Sequence, residues 1–481
     1  MGSLDPGSPE TGIQSSPPAF VPASANPQPA SDDSLNQAAD QHTNDTPLRL
    51  RGEIEAIEAA ALQPAATALA LEDHLSTAIR LVLNIDFRRY DADRHRAAAP
   101  ALIQQIFTFQ QRLRSMIADW HARSLMSINN QRLVRNLLRM SRYAADILGE
   151  MWAGFERLPD DGLTKRAFTG EDYNTLVANN YAGVDPLPFQ SGDVIVVRSR
   201  FHNSAAIARI GDTDSQFAHV FMVHIDRDGK HWAVEALIAD GSIVRPLSEA
   251  IAPGLGRAIC LRHNNATLAK NAATIIADRI RFSNSTLGRH IPYDFTMRPG
   301  VGRNLFCSKL IRRAFKEASE QALILPTFPT KLTMKNRDFV DRIGVRTTET
   351  FAPGDMEIEP DFHLVAEWQD YRVTSDMRLQ DMIMDKLFEW METKDYRFKE
   401  TWKIRLISLF GRASSYLARD IKRMIEDVIP RVPTNMSRRA IAALTMLHET
   451  AQPLLQELRN AEADSIRQTG LPLHPRDAYQ I

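Results

Sequence analysis

Two cysteines and thirteen histidines are the chain's nucleophile and base candidates. Cys307 opens the stretch CSKLIRRAFKEA, whose apolar residues recur at three- and four-residue steps, so the spacing predicts an amphipathic helix starting at the thiol. A sulfur at a helix N-terminus meets free backbone N–H groups and the positive end of the dipole, and both favour a thiolate. Between Arg257 and Lys316 stand twelve lysines and arginines against two acids, Asp278 and Asp294, and that field is expected to lower the thiol further. A solvated helix face accounts for Lys309, Arg312, Arg313 and Lys316. The competing reading of Cys307 is a buried small hydrophobe. Cys260, inside the apolar run RAICLRH, reads as structural.

A cysteine nucleophile needs a proton shuttle and a group that orients the shuttle. The segment FAHVFMVHI holds His219 and His224, and their odd separation puts them on opposite faces of a strand. His219 shares a face with Phe221 and Val223. His224 precedes the polar turn IDRDG and is expected to face solvent. In WAVEALI, Glu235 shares a face with Ala233, and an acid among apolar neighbours is expensive to bury without a partner. A histidine on the neighbouring strand would be such a partner, with the carboxylate fixing its tautomer. The alternative is an edge-strand glutamate facing water.

Short runs rich in β-branched or apolar residues predict the strands that carry these side chains: 193–197, 218–225, 231–237 and 258–261. Asp228-Gly229 marks a hairpin between the second and third. A helix is expected from about Thr267 to Phe282, then a loop rich in Gly, Pro and Arg, then the Cys307 helix. A strand meander with helices outside it is an α+β domain. Around it, residues 1–47 form a Pro/Ser-rich segment expected to be disordered, with seven prolines before residue 30. Residues 48–185 read as a helical region: Leu102, Ile106, Phe109, Leu113, Met116 and Trp120 make one stripe, and Leu133, Leu137, Met140, Ala144, Ile147 and Met151 another. Those helices are either a packed bundle or a module for a partner or substrate. Residues 186–372 hold the strands and the Cys helix, and 373–481 are helical again with a break near Pro430 to Pro433.

Composition is that of an ordinary globular protein, 44% hydrophobic and 24% charged with a net charge of −1. That balance argues against whole-chain attraction to nucleic acid, and no stacking aromatics interleave the basic residues around Cys307. No CxxC or Cys/His cluster suggests a metal, and two cysteines fit a reducing compartment. No secretory signal or membrane span is visible, so the expectation is a soluble protein, cytoplasmic or exported without a cleavable signal peptide.

The order GDVIVV, FAHVFMV, WAVEALIADGSIVRPL, YDF and NLFCSKLIRRAF, followed by PGDMEIEPDFHLVAEW, resembles the circularly permuted NlpC-like cysteine hydrolases of the YiiX/YebB group. The resemblance covers roughly residues 186–372 and implies a permuted papain-like fold in which the His strand precedes the Cys helix. It implies Cys307 as nucleophile, His219 as acid/base and Glu235 as the orienting acid. Where many relatives have a tyrosine before the cysteine, Phe306 stands here, and Tyr293 is the substitute candidate. Asn304 and Ser308 are the remaining substrate or oxyanion candidates, beside the Cys307 backbone N–H. The implied activity is cleavage of an amide, peptide or isopeptide of peptidoglycan type, through a thioester and without cofactor or metal. The alternatives are a lipid acyl-ester hydrolase or acyltransferase, with peripheral lipid contact, and a secreted effector that modifies a host protein. The substrate expected is a small peptide or acyl compound, with the basic surroundings suiting an anionic one, and the helical flanks offer surfaces to a protein partner.

Overall fold

The computed structural model describes residues 49–157, 174–181, 188–251, 255–332, 337–398 and 435–481. The Pro-rich segment 1–47 and the break near Pro430 to Pro433 lie outside them. Four helices lead: α1 (Arg49–Ala61), α2 (Ala68–Leu83), α3 (Ala92–Ala122) and α4 (Ile128–Trp152). Thr67, Asp91 and Ser127 cap the last three, each side chain accepting from the N–H three residues on. Then come β1 (Asn174–Val177), β2 (Val194–Ser199), α5 (His202–Arg209), β3 (His219–Ile225), β4 (His231–Leu237), β5 (Gly241–Pro246) and α6 (Leu247–Ala250). They are followed by β6 (Leu255–His263), α7 (Ala266–Ser285) and α8 (Cys307–Ala318). A small ribbon of β7 (Thr330–Lys331) and β8 (Glu349–Thr350) flanks α9 (Asp338–Ile343). β9 (Phe362–Gln369), α10 (Tyr371–Thr393), α11 (Arg438–Thr469) and α12 (Pro475–Ala478) complete the described chain.

The fold is α+β. Seven strands form one antiparallel sheet in the order β1-β9-β6-β2-β3-β4-β5. The four expected strands are β2, β3, β4 and β6, and the predicted hairpin joins β3 to β4. There Asp226 N–H donates to the Lys230 carbonyl and Gly229 takes φ of 76°, a region that favours glycine. The sequence reading missed β1, β5 and β9. Strand β9, FHLVAEWQ, is buried at seven of its eight positions, so it shows no in-out alternation, and two of those seven are the polar Glu367 and Gln369. Strand β5 is buried only at its first two residues.

Alternation in the central strands separates two cores. Val194, Val196, Val220, Met222, Val234 and Ala236 pack with Ile276 and Ile280 of α7 and Leu310, Ile311 and Phe315 of α8. Leu102, Ile106, Phe107 and Leu148 of the leading helices bury into that same core. The opposite residues, Ile195, Val197, Phe221, Val223, Ala233 and Cys260, pack with Leu247 and Ala250.

α4 does more than present its apolar stripe. Arg142, fully buried, donates to Glu367 of β9 (2.8 Å) and to Glu357 (3.0 Å). Asp146 pairs with Arg257 of β6, and Glu150 with Arg378 of α10 (2.6 Å), which also binds Glu462 of α11 (2.6 Å). A layer of buried ion pairs thus ties the helices on both sides of residues 186–372 to the sheet. Burial penalises each charge, and each is compensated by a partner in hydrogen-bond contact.

Candidate active site

α8 begins at Cys307 because Phe306 before it is extended (φ −106°, ψ 169°) and the first intrahelical bond runs from Leu310 N–H to the Phe306 carbonyl. Phenylalanine offers no side-chain cap, so the first turn keeps its N–H groups uncapped by a side chain beside the sulfur. Leu310, Ile311, Ala314 and Phe315 bury one face of α8 against the sheet, which fixes where its N-terminus points. α8 packs beside α7: His263, just before α7, stacks on Phe315 (5.2 Å), and Arg279 of α7 bonds Glu317 (2.7 Å).

Sheet geometry brings the other groups to that end. His219 is the first residue of β3, paired with Val197 of β2. Pairing between β3 and β4 runs from Ile225–His231 to Met222–Val234 and stops there. His219, Val220 and Glu235 lie beyond the last pair. The Cys307 sulfur lies close enough to the His219 ring and to the Val220 backbone N–H for both to act on its charge, and Ser308 Oγ stands 3.8 Å away. His219 Nε2 lies 2.9 Å from Glu235 Oε2, which leaves Nδ1 for the sulfur. Glu235 Oε1 accepts from Arg245 Nε on β5. Glu235 is 1% exposed, whereas the His219 side chain is 25% exposed, so the imidazole has a solvent-facing edge. The water-facing alternative for Glu235 does not hold.

The electrostatics follow from this contact chain. Burial opposes charge on His219, yet hydrogen bonds and charge from Cys307 and Glu235 raise its pKa to about 10. Burial pushes the Cys307 thiol up, and the imidazolium with the Ser308 and Val220 hydrogen bonds outweighs it, leaving the thiol below its ordinary value. Burial likewise opposes ionisation of Glu235, but His219 and Arg245 hold it below the usual carboxylate range. Along sulfur, imidazole, carboxylate and guanidinium, each group favours the charged form of its neighbour.

Three expectations are corrected here. The cationic field is not among the main influences on the sulfur. Arg257, Arg262 and Lys309 are buried and neutralised by Asp146, Asp193 and Asp294, so the thiol is lowered by its immediate contacts instead. Lys309 is not on a solvated face: it is 3% exposed, bonded to Asp294 (2.5 Å) and to the Val301 carbonyl. His224 is 5% exposed rather than solvent-facing, because Arg281 of α7 lies over it (3.4 Å).

Tyr293 bridges to Leu305 in parallel, and its buried phenol is raised well above its ordinary pKa by burial and by the charges of Cys307 and Asp294. It therefore joins Cys307, His219, Glu235 and Ser308 in one neighbourhood. Asn304 is exposed, three residues before Cys307. Cys260 is fully buried in β6, where burial pushes its thiol far up.

Sequence reasoning missed three members of this neighbourhood. Arg245 became findable only with β5 recognised, since the register pairs Ala233 with Arg245 and sets it diagonally from Glu235. The Val220 amide leaves no trace in side-chain chemistry. Asn435, just before α11, donates Nδ2 to the Tyr293 carbonyl (2.8 Å) from 142 residues away. Among the described residues no group of three or more His, Cys, Asp or Glu side chains is arranged to hold a metal ion. No helix among them is long and apolar enough to cross a membrane.

Residues 188–366 match the family described as permuted papain-like amidase enzyme, YaeF/YiiX, C92 family. No curated protein and no solved structure matches the chain. The matched segment contains β2 through β6, the Cys307 helix and most of β9, that is, the sheet and helix whose contacts were just described. Over residues 188–366 the chain is similar to the permuted papain-like amidases, a family of the cysteine peptidase and amidase type.

Proposed function

We propose that the chain hydrolyses an amide bond, peptide or isopeptide, with Cys307 as nucleophile, His219 as acid/base and Glu235 as the orienting acid. The observation that carries this reading is a His219 ring held by Nε2 2.9 Å from the buried Glu235, in the neighbourhood of the Cys307 sulfur at the start of α8. The thiolate attacks the carbonyl carbon, and the carbonyl π electrons move onto oxygen. The uncapped first turn of α8, with the Cys307 N–H, supports that oxyanion. Collapse breaks the C–N bond as the imidazolium gives its proton to the leaving amine, and a thioester remains. The now neutral His219 takes a proton from water, which attacks the thioester. The thiolate leaves with its electron pair, a carboxylic acid is released and the ion pair is restored.

A lipid acyl-ester substrate is the second reading. It is favoured by the exposed Arg289, Arg298 and Arg303 in the loop leading into Cys307, which suit an anionic headgroup. Incubation of the purified protein with muropeptides and with anionic phospholipids separates the two. The first reading expects new amines and no fatty acid, and both readings expect Cys307→Ala to be silent. Fatty-acid release with intact amides would overturn the amide reading.

A further inference from the structure

Glu235 is a buried carboxylate shared by two cations. Its Oε2 meets His219 Nε2 at 2.9 Å and its Oε1 accepts from Arg245 Nε, so both oxygens are engaged. Arg245 reaches it diagonally across the β4–β5 pair, from a position where its own side chain is 30% exposed. The charges facing the sulfur from each surrounding element can be named. His219 on β3 is the charged group beside it, with Glu235 on β4 behind His219 and Arg245 on β5 behind Glu235; Asp294 in the preceding loop is neutralised by Lys309 of α8. Tyr293 and Ser308 are neutral.

With Arg245 present, thiolate, imidazolium, carboxylate and guanidinium sum to zero. Without it the remaining three sum to one negative charge in a largely dehydrated site. The least costly relief is uptake of a proton by sulfur or carboxylate, and either weakens the thiolate–imidazolium pair. We infer that Arg245 is a positioning residue for the thiolate: by holding Glu235 ionised and oriented toward His219 it keeps the imidazole protonated beside the Cys307 sulfur. This inference rests on the Cys307–His219–Glu235 reading above. Arg245 does not touch the reacting atoms, and its effect passes through Glu235 and His219.

The test is the pH dependence of Cys307 alkylation by iodoacetamide, followed by mass spectrometry on the full chain, which needs no knowledge of the substrate. In the natural protein the inflection is expected below the ordinary thiol value of about 8.5. Arg245→Met is expected to move it upward by about one unit, so that alkylation near pH 6 is roughly tenfold slower while rates near pH 10 coincide. Arg245→Lys is expected to restore most of the difference. A residue that merely braced β5 would lower the rate equally at every pH, and lysine would not rescue it. An unchanged inflection in Arg245→Met overturns the inference. An inflection already at the ordinary value in the natural protein, or one unmoved by His219→Asn, instead overturns the underlying ion-pair reading. Circular dichroism verifies folding, and should the methionine variant not fold, Arg245→Gln and Arg245→Lys make the same comparison.

Discussion

His219 Nε2 and Glu235 Oε2 are 2.9 Å apart at the point where their two strands have stopped pairing. The carboxylate is buried and holds the imidazole by that one bond, in the neighbourhood of the Cys307 thiol at the start of α8. Replacing Glu235 by Gln keeps the shape and removes the charge. Hydrolysis should fall by roughly 10²-fold, because the amide can bond either tautomer and does not stabilise the imidazolium. The measurement is kcat alongside a thermal melt; an unaltered kcat in a folded Glu235→Gln would remove the carboxylate from the reaction.

The pH profile has a definite sign. The Cys307 thiol is lowered, so activity should rise with pH at values below the ordinary thiol range as the sulfur loses its proton. His219 is raised to about 10, so activity should fall again as pH passes that value and the imidazolium is lost. Both limbs belong to the coupled pair rather than to either residue alone. A plateau running well above pH 10 would contradict the imidazolium's part as proton donor.

Arg142 is fully buried between Glu367 and Glu357. Arg142→Met removes one cation from two buried carboxylates, leaving Glu357 with Arg114 and Glu367 with Gln369 and the more distant Arg257, and should cost roughly 3 kcal/mol, read as a lower denaturation midpoint. Adding Glu367→Gln to the same chain should recover part of the loss. If Arg142→Met melts with the natural protein, the ionic layer is not what fastens α4 to the sheet.

Asn435 reaches the active-site neighbourhood from just before α11 through one hydrogen bond to the Tyr293 carbonyl. Loss of that bond in Asn435→Ala should cost about 1 kcal/mol, read as a slightly lower melt, and Cys307 alkylation should slow by no more than about fivefold. Equal rates in both proteins would show that Tyr293 keeps its place without it.

How much of this was readable in the chain follows from where each signal resides. Cys307, His219 and Glu235 were legible one by one because a helix start and two alternating strands are local patterns, but alternation puts His219 and Glu235 on the face of Phe221 and Ala233, so counting residues did not place them beside a thiol that packs with Val220 and Val234. Arg245 was hidden because β5 buries only Gly241 and Ser242, so nothing in its hydrophobicity announced a strand or its register. Lys309 was misread because a lysine on an amphipathic helix looks solvated until Asp294 is found beside it. α4 shows the same blindness on a larger scale. Its stripe was visible, but Arg142, Asp146 and Glu150 face inward toward acids and bases more than a hundred residues distant, and charge pairing over such separations has no periodicity to detect.

The far-ultraviolet thiolate absorbance of the intact protein, titrated with pH against Cys307→Ser, tests the central claim most directly. The account predicts a Cys307-dependent signal already present near neutral pH, with its midpoint below the ordinary thiol value of about 8.5 and lost toward that value in His219→Asn. A Cys307 signal that emerges only above that value, and is the same with or without His219, would contradict it.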